Sequence, residues 1–182
     1  IERAADILRV EYGKKGAVDT SLRIIADHVR AATFLISDGV IPSNEGRGYV
    51  LRKIMRRGIR QGTLLGYKGP FLDLLSEFVV ELMKEPYPEL LNTREYVSRV
   101  IRTEEERFSA MAAVGLERLE SVIEGLVREG KNTIPGVEIF KLYDTFGFPL
   151  DFTTEIADEK SMQLDLAGFE TELEKQRERA RQ

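Results

Sequence analysis

At 182 residues the chain is long enough for one ordinary domain or two small ones, and for a sizeable buried core. Its 42% apolar and 32% charged residues are those of a globular chain, and no Cys with a single His rules out disulfides, thiolate metal sites, a cysteine nucleophile and any two-histidine metal site. No apolar run approaches the roughly 20 residues of a membrane span and no signal or transit pattern opens the chain, so a soluble, cytoplasmic protein with no membrane partner is expected.

Ile1-Glu2-Arg3-Ala4-Ala5-Asp6-Ile7-Leu8 already reads as helix. Val18 to Ser37 is a strong helix, because Leu22, Ile25, Val29, Ala32 and Ile36 recur at spacings of three and four and share one face. Asp19, Thr20 or Ser21 is its expected cap, and Gly39 its left-handed terminator. Val40 to Gly46 is a loop.

The next helix, Gly48 to Leu65, lies in the most unusual stretch of the chain. The formal net charge is −4, yet Gly46 to Leu72 holds no acid and seven bases, Arg47, Arg52, Lys53, Arg56, Arg57, Arg60 and Lys68. At about 100° per residue, Arg52, Lys53, Arg56, Arg57 and Arg60 fall within an arc of about 140°. Val50, Leu51, Ile54, Met55 and Ile59 fall opposite. One face is expected to be buried and the other to present a nearly continuous basic strip.

Phe71 to Lys84 is another amphipathic helix, and Pro86 and Pro88 break the pattern after it. Asn92 to Arg128 is long, charged and helical, with a kink expected near Gly115. After a loop from Gly130 to Gly136 come a short helix at Val137–Tyr143 and two more helices at Leu150–Lys160 and Leu166–Gln182, with Asp144 to Pro149 a turn-rich link. Met162-Gln163-Leu164 is a weak strand candidate. The last helix has no stop signal and the first residue is already helical, so the sequence reads as a piece of a longer chain. The fold class expected is all-α, a multi-helix bundle with little or no sheet. Two subdomains are expected: residues 1–91 with the basic helix, and residues 92–182 with the long charged helix and the Asp144 link.

Three constellations can carry chemistry. Arginine forks bind phosphate oxygens in bidentate fashion, so the basic strip suits a nucleic-acid backbone, and it suits equally a solvated or salt-bridged surface. In the loop Ile41-Pro42-Ser43-Asn44-Glu45-Gly46-Arg47-Gly48-Tyr49, the Asn44 amide can read a base edge and the glycines can admit a ligand. Ser43 or Asn44 can equally cap the helix. Asp144 is either a cap or an acceptor for a base amino group, and local chemistry favours the cap. The run Gly115-Leu116-Glu117-Arg118 lies inside the long helix and has no companion ATP motif. His28 beside Asp27 reads as structural, and Glu104, Glu105 and Glu106 as a solvated helix face.

Taken together and in order, several segments resemble the alanyl-tRNA synthetases. They are Asp19 to Arg30, Asp38 to Arg52 with its Pro42-Ser43-Asn44, Leu142-Tyr143-Asp144-Thr145-Phe146-Gly147-Phe148-Pro149, and the closing Gly168-Phe169-Glu170 and Gln176 to Arg181. In that family the corresponding region is the helical tRNA-recognition domain, between a class II catalytic domain and an editing domain. The resemblance implies binding of the acceptor stem of alanine-accepting tRNA and selection of its G·U wobble pair. Asn44 and Asp144 match the family's pair-reading residues, and Arg56, with Arg57 beside it, matches an arginine of its basic helix. Arg47, Arg52, Lys53 and Arg60 complete the expected tRNA-binding set. A wobble pair leaves the guanine amino group unpaired in the shallow minor groove of an A-form stem, where an amide or carboxylate oxygen can accept from it. The resemblance further implies a parent ATP-dependent alanine–tRNA ligase of protein biosynthesis. In it ATP, Mg and Zn serve other domains, and this segment carries no catalytic site, metal or cofactor of its own. The rival reading is a helical protein-interaction module whose basic strip docks an acidic partner.

Overall fold

The computed structural model describes residues 1–181, so Gln182, the expected end of the last helix, lies outside the described residues. The chain forms helices α1 (Glu2–Leu8), α2 (Ala17–Ser37), α3 (Gly46–Leu64), α4 (Leu72–Met83), α5 (Glu89–Arg128), α6 (Gly136–Asp144), α7 (Leu150–Glu159) and α8 (Leu166–Arg181). Two two-residue strands, β1 (Thr133–Ile134) and β2 (Gln163–Leu164), complete it, and the fold is all-α as expected. Two compact units result, Ile1–Ser109 and Ala110–Gln182. The division therefore lies within α5 and not at the expected 91/92 junction. Pro88 stands just before α5, where its missing N–H costs nothing, and its carbonyl accepts from Leu91 N at 3.1 Å.

In the first unit α2 packs along α3, and α1 and α4 pack on α2. Leu22, Ile25, Val29, Ala32 and Ile36 are all buried, as their periodicity requires. The end of α2 is as expected. Gly39 takes φ +88°, its N–H reaches Ile36 O at 2.9 Å, and Val40 N reaches Leu35 O at 2.9 Å. The start is not, because Gly16 is the N-cap and makes no side-chain cap. Asp19 instead reaches backward and accepts from Gly13 N at 2.9 Å and Lys15 N at 3.0 Å, which ties the preceding loop to the helix. Gly62 admits the buried Phe71 ring, which stands where a Cβ would be, 2.4 Å away.

In the second unit β1 and β2 pair in parallel, with Thr133 opposite Gln163 and Ile134 opposite Leu164. The weak strand candidate at 162–164 was thus real, and its partner lay unrecognised in the expected loop. The Asp165 carboxylate accepts from Gly136 N at 3.1 Å and Gly168 N at 2.9 Å, so one side chain serves the starts of both α6 and α8. The helix α5 runs through Gly115. That glycine makes room for buried Phe148, whose ring comes within 2.2 Å of where a Cβ would stand. Arg118, in the same short run, pairs with Glu138 at 3.0 Å.

Candidate nucleic-acid interface

The loop ahead of α3 is shaped by its own backbone. Gly46 opens the helix with φ +55°, a conformation that disfavours a side chain. A Cβ on Gly48 would stand 2.3 Å from Ile41 O and 2.2 Å from Ser43 Oγ. The closeness that Gly48 permits is filled by residues 41–43 and not by a ligand. Nor does the loop supply a side-chain cap. Glu45 is the N-cap, and Ser43 Oγ donates to Glu45 O at 2.9 Å.

Asn44 is exposed, and its Oδ1 accepts from Arg52 Nη1. The other guanidinium contacts of Arg52 lead inward. Nη2 reaches Pro42 O at 3.4 Å and Glu104 Oε2 at 3.3 Å, and Nε lies 2.9 Å from Glu104 Oε1. Arg56 Nη2 lies 3.4 Å from the same Oε1, and its guanidinium stands 5.0 Å from the Phe108 ring centroid. Arg60 is buried outright.

The basic arc is therefore not one strip facing solvent. Arg52, Arg56 and Arg60 occupy its inner edge, and the first two of them turn toward α5. Arg47, Lys53 and Arg57 are exposed, alongside exposed Tyr49 and Val50. The reason is geometric: α2 packs along α3, whose Leu51, Met55 and Ile59 are buried, and Glu104 of α5 meets Arg52 and Arg56 on the neighbouring face.

The acidic run on α5 differs from its expected role as well. Glu106 is exposed and takes Arg102 Nε at 3.1 Å, but Glu104 and Glu105 are buried. Glu105 accepts from Phe71 N at 3.0 Å and Leu72 N at 3.1 Å, which serves the start of α4 from another helix. Burial pushes its carboxyl up to about 7, against the pull of those two N–H groups. The signal was present in the sequence. Val97, Ile101 and Phe108 are buried, and Glu104 and Glu105 continue their spacing of three and four.

Asp144 lies in the second unit, exposed, as the last residue of α6. Its Oδ1 accepts from Gln176 Nε2 of α8. The carboxylate thus bridges two helices, where a backbone cap was the favoured local reading. His28 sits beside Asp27, with Nδ1 3.1 Å from Oδ2, and its Cβ lies 3.7 Å from where a Cβ on Gly58 of α3 would stand. Among the described residues no three His, Cys, Asp or Glu side chains converge to hold a metal ion, and no helix is long and apolar enough to cross a membrane.

The whole chain, residues 1–182, matches the family model for tRNA synthetases class II (A). The chain belongs to that family. It is 48% identical over 180 residues to the alanine–tRNA ligase of Caldicellulosiruptor saccharolyticus, covering 99% of this chain and 20% of that protein. It is 49% identical over 182 residues to that of Carboxydothermus hydrogenoformans, covering 100% and 21%. The alanine–tRNA ligase of Clostridioides difficile is 49% identical over 181 residues, again 100% and 21%. This class II synthetase segment therefore spans about a fifth of the length of the curated relatives it matches.

Proposed function

We propose that this chain is the part of an alanine–tRNA ligase that grips the acceptor stem of tRNA and selects its G·U wobble pair, the parent enzyme attaching alanine. The observation that supports this best is the outward side of the loop and helix at residues 44–57. It joins an exposed amide, Asn44, to three exposed cations, Arg47, Lys53 and Arg57. Cations on one helix face neutralise phosphates whatever the sequence, and a short polar side chain beside them reads a base edge. Asp144 offers a carboxylate oxygen, a fit for the guanine amino group that a wobble pair leaves free in the minor groove. ATP, Mg and Zn serve other parts of the parent in this reading.

The test is equilibrium binding of two acceptor-stem hairpins, identical except for G·U or G·C at the selected pair, at several salt concentrations. Salt-sensitive binding with a preference for G·U is expected. Equal binding of both hairpins overturns the selection and returns the chain to the rival class, a helical module that docks an acidic partner.

A further inference from the structure

We infer that Arg52, oriented by buried Glu104, is a positioning residue that sets the polarity of the Asn44 amide. The inference rests on the proposed function above. A guanidinium carries only donors, so the atom of Asn44 that meets Arg52 Nη1 must be the carbonyl oxygen and cannot be the NH2 group. The amide therefore keeps its oxygen inward and turns its two N–H donors away from Arg52.

Arg52 is itself held. Two of its nitrogens engage Glu104, at 2.9 Å and 3.3 Å, and one reaches Pro42 O in the same loop at 3.4 Å. Glu104 is buried on α5 and is not available to RNA. The order of action is Glu104 to Arg52 to Asn44: a buried anion fixes a cation, and the cation fixes which end of an exposed amide faces outward. A side chain locked by inner partners loses less freedom on binding, and its donors meet one base pattern instead of two.

This gives Arg52 a role different from that of Lys53 and Arg57. A cation that neutralises a phosphate raises affinity for every stem alike and steepens the salt dependence. A positioning residue changes the ratio between stems and leaves the salt slope alone.

The full-length protein is tested with the same two hairpins. Asn44→Asp keeps an acceptor toward Arg52 and replaces the outward donors by a carboxylate oxygen. If Asn44 donates, this variant binds the G·U hairpin more weakly than Asn44→Ala does. If Asn44 accepts from the guanine amino group instead, Asn44→Asp keeps the preference, and the polarity assignment is overturned. Glu104→Gln is expected to lower the G·U over G·C ratio about tenfold, within the range for removal of one hydrogen bond to a base, with the salt slope unchanged. An unchanged ratio in folded Glu104→Gln refutes the positioning role, and so does an equal loss for both hairpins. Should Glu104→Gln fail to fold, Arg52→Lys supplies the same ratio, and Asn44, being exposed, keeps its variants testable. If the parent protein shows no preference at all, the proposed function fails first, which separates that outcome from failure of this inference.

Discussion

Glu105 makes a prediction whose sign and size both follow from its surroundings. The side chain is fully buried, both oxygens accept from backbone N–H groups, and its carboxyl titrates near 7 in place of the ordinary 4.5. The nearby charges are Asp73, which pushes the same way, and Arg102, which pulls back. Between those two values the folded chain binds more protons at this site than the unfolded chain. Stability from this group is therefore fully present below about pH 4.5 and is lost as pH rises through about 7. A shift of that size corresponds to about 3 kcal/mol. The measurement is denaturant unfolding of the parent chain and of Glu105→Gln between pH 4.5 and 8.5. The neutral variant leaves one backbone N–H facing an NH2 group, a constant cost of about 1–3 kcal/mol. The difference between the two proteins then isolates the titration from all other carboxylates. The parent's advantage over the variant is expected to shrink by about 3 kcal/mol as pH rises. A difference that stays flat, or one that grows with pH, refutes the desolvation argument.

Other outcomes follow from the same geometry. Replacing Lys53 and Arg57 together by Ala is expected to weaken binding of G·U and G·C hairpins alike and to lower the salt slope by about one for each phosphate left without its cation, read by filter binding at several salt concentrations. Gly48→Ala forces a methyl group into Ser43 Oγ and Ile41 O. It is expected to cost about 1–3 kcal/mol in thermal unfolding and to loosen the Asn44 loop, and an unaltered melting temperature refutes the close approach. Asp165→Ala strips an acceptor from Gly136 N and Gly168 N, the starts of α6 and α8. A destabilisation of about 2 kcal/mol is expected, with hydrogen exchange faster in both helices. Faster exchange in only one of them refutes the shared role.

The helices were legible because their signals are local. Spacing in α2, a glycine after its end and prolines before α5 each act over a few residues. What stayed hidden depends on partners distant in sequence. Asp19 has the chemistry of a cap, yet its carboxylate reaches back to Gly13 and Lys15. Gly115 looks like a break in a helix until Phe148, from a later turn, is seen to fill its space. The strand at 163–164 pairs with 133–134, too short a run to show alternation. At the candidate interface, the sequence marks Asn44 and the basic stretch but not which arginines face water, because Glu104, the acid that meets Arg52 and Arg56, lies 52 residues beyond Arg52.

The helix α3 shows why charge alone was a poor guide. Taking Arg52 as zero, Arg56 and Arg60 lie at about 40° and 80°, and Lys53 and Arg57 at about 100° and 140°. The first three are half-buried or buried and the last two are exposed, so the boundary between inside and outside passes through the middle of the basic arc. An arginine on the inner side needs an anion, since an unpaired buried charge costs several kcal/mol. Glu104 meets Arg52 and Arg56, and it does so from a position that extends the apolar spacing of α5. A carboxylate at a core position on one helix and an acid-free stretch on another are two halves of one arrangement. Either alone reads as surface; together they fix a basic helix in place, with Lys53 and Arg57 exposed on its outer side.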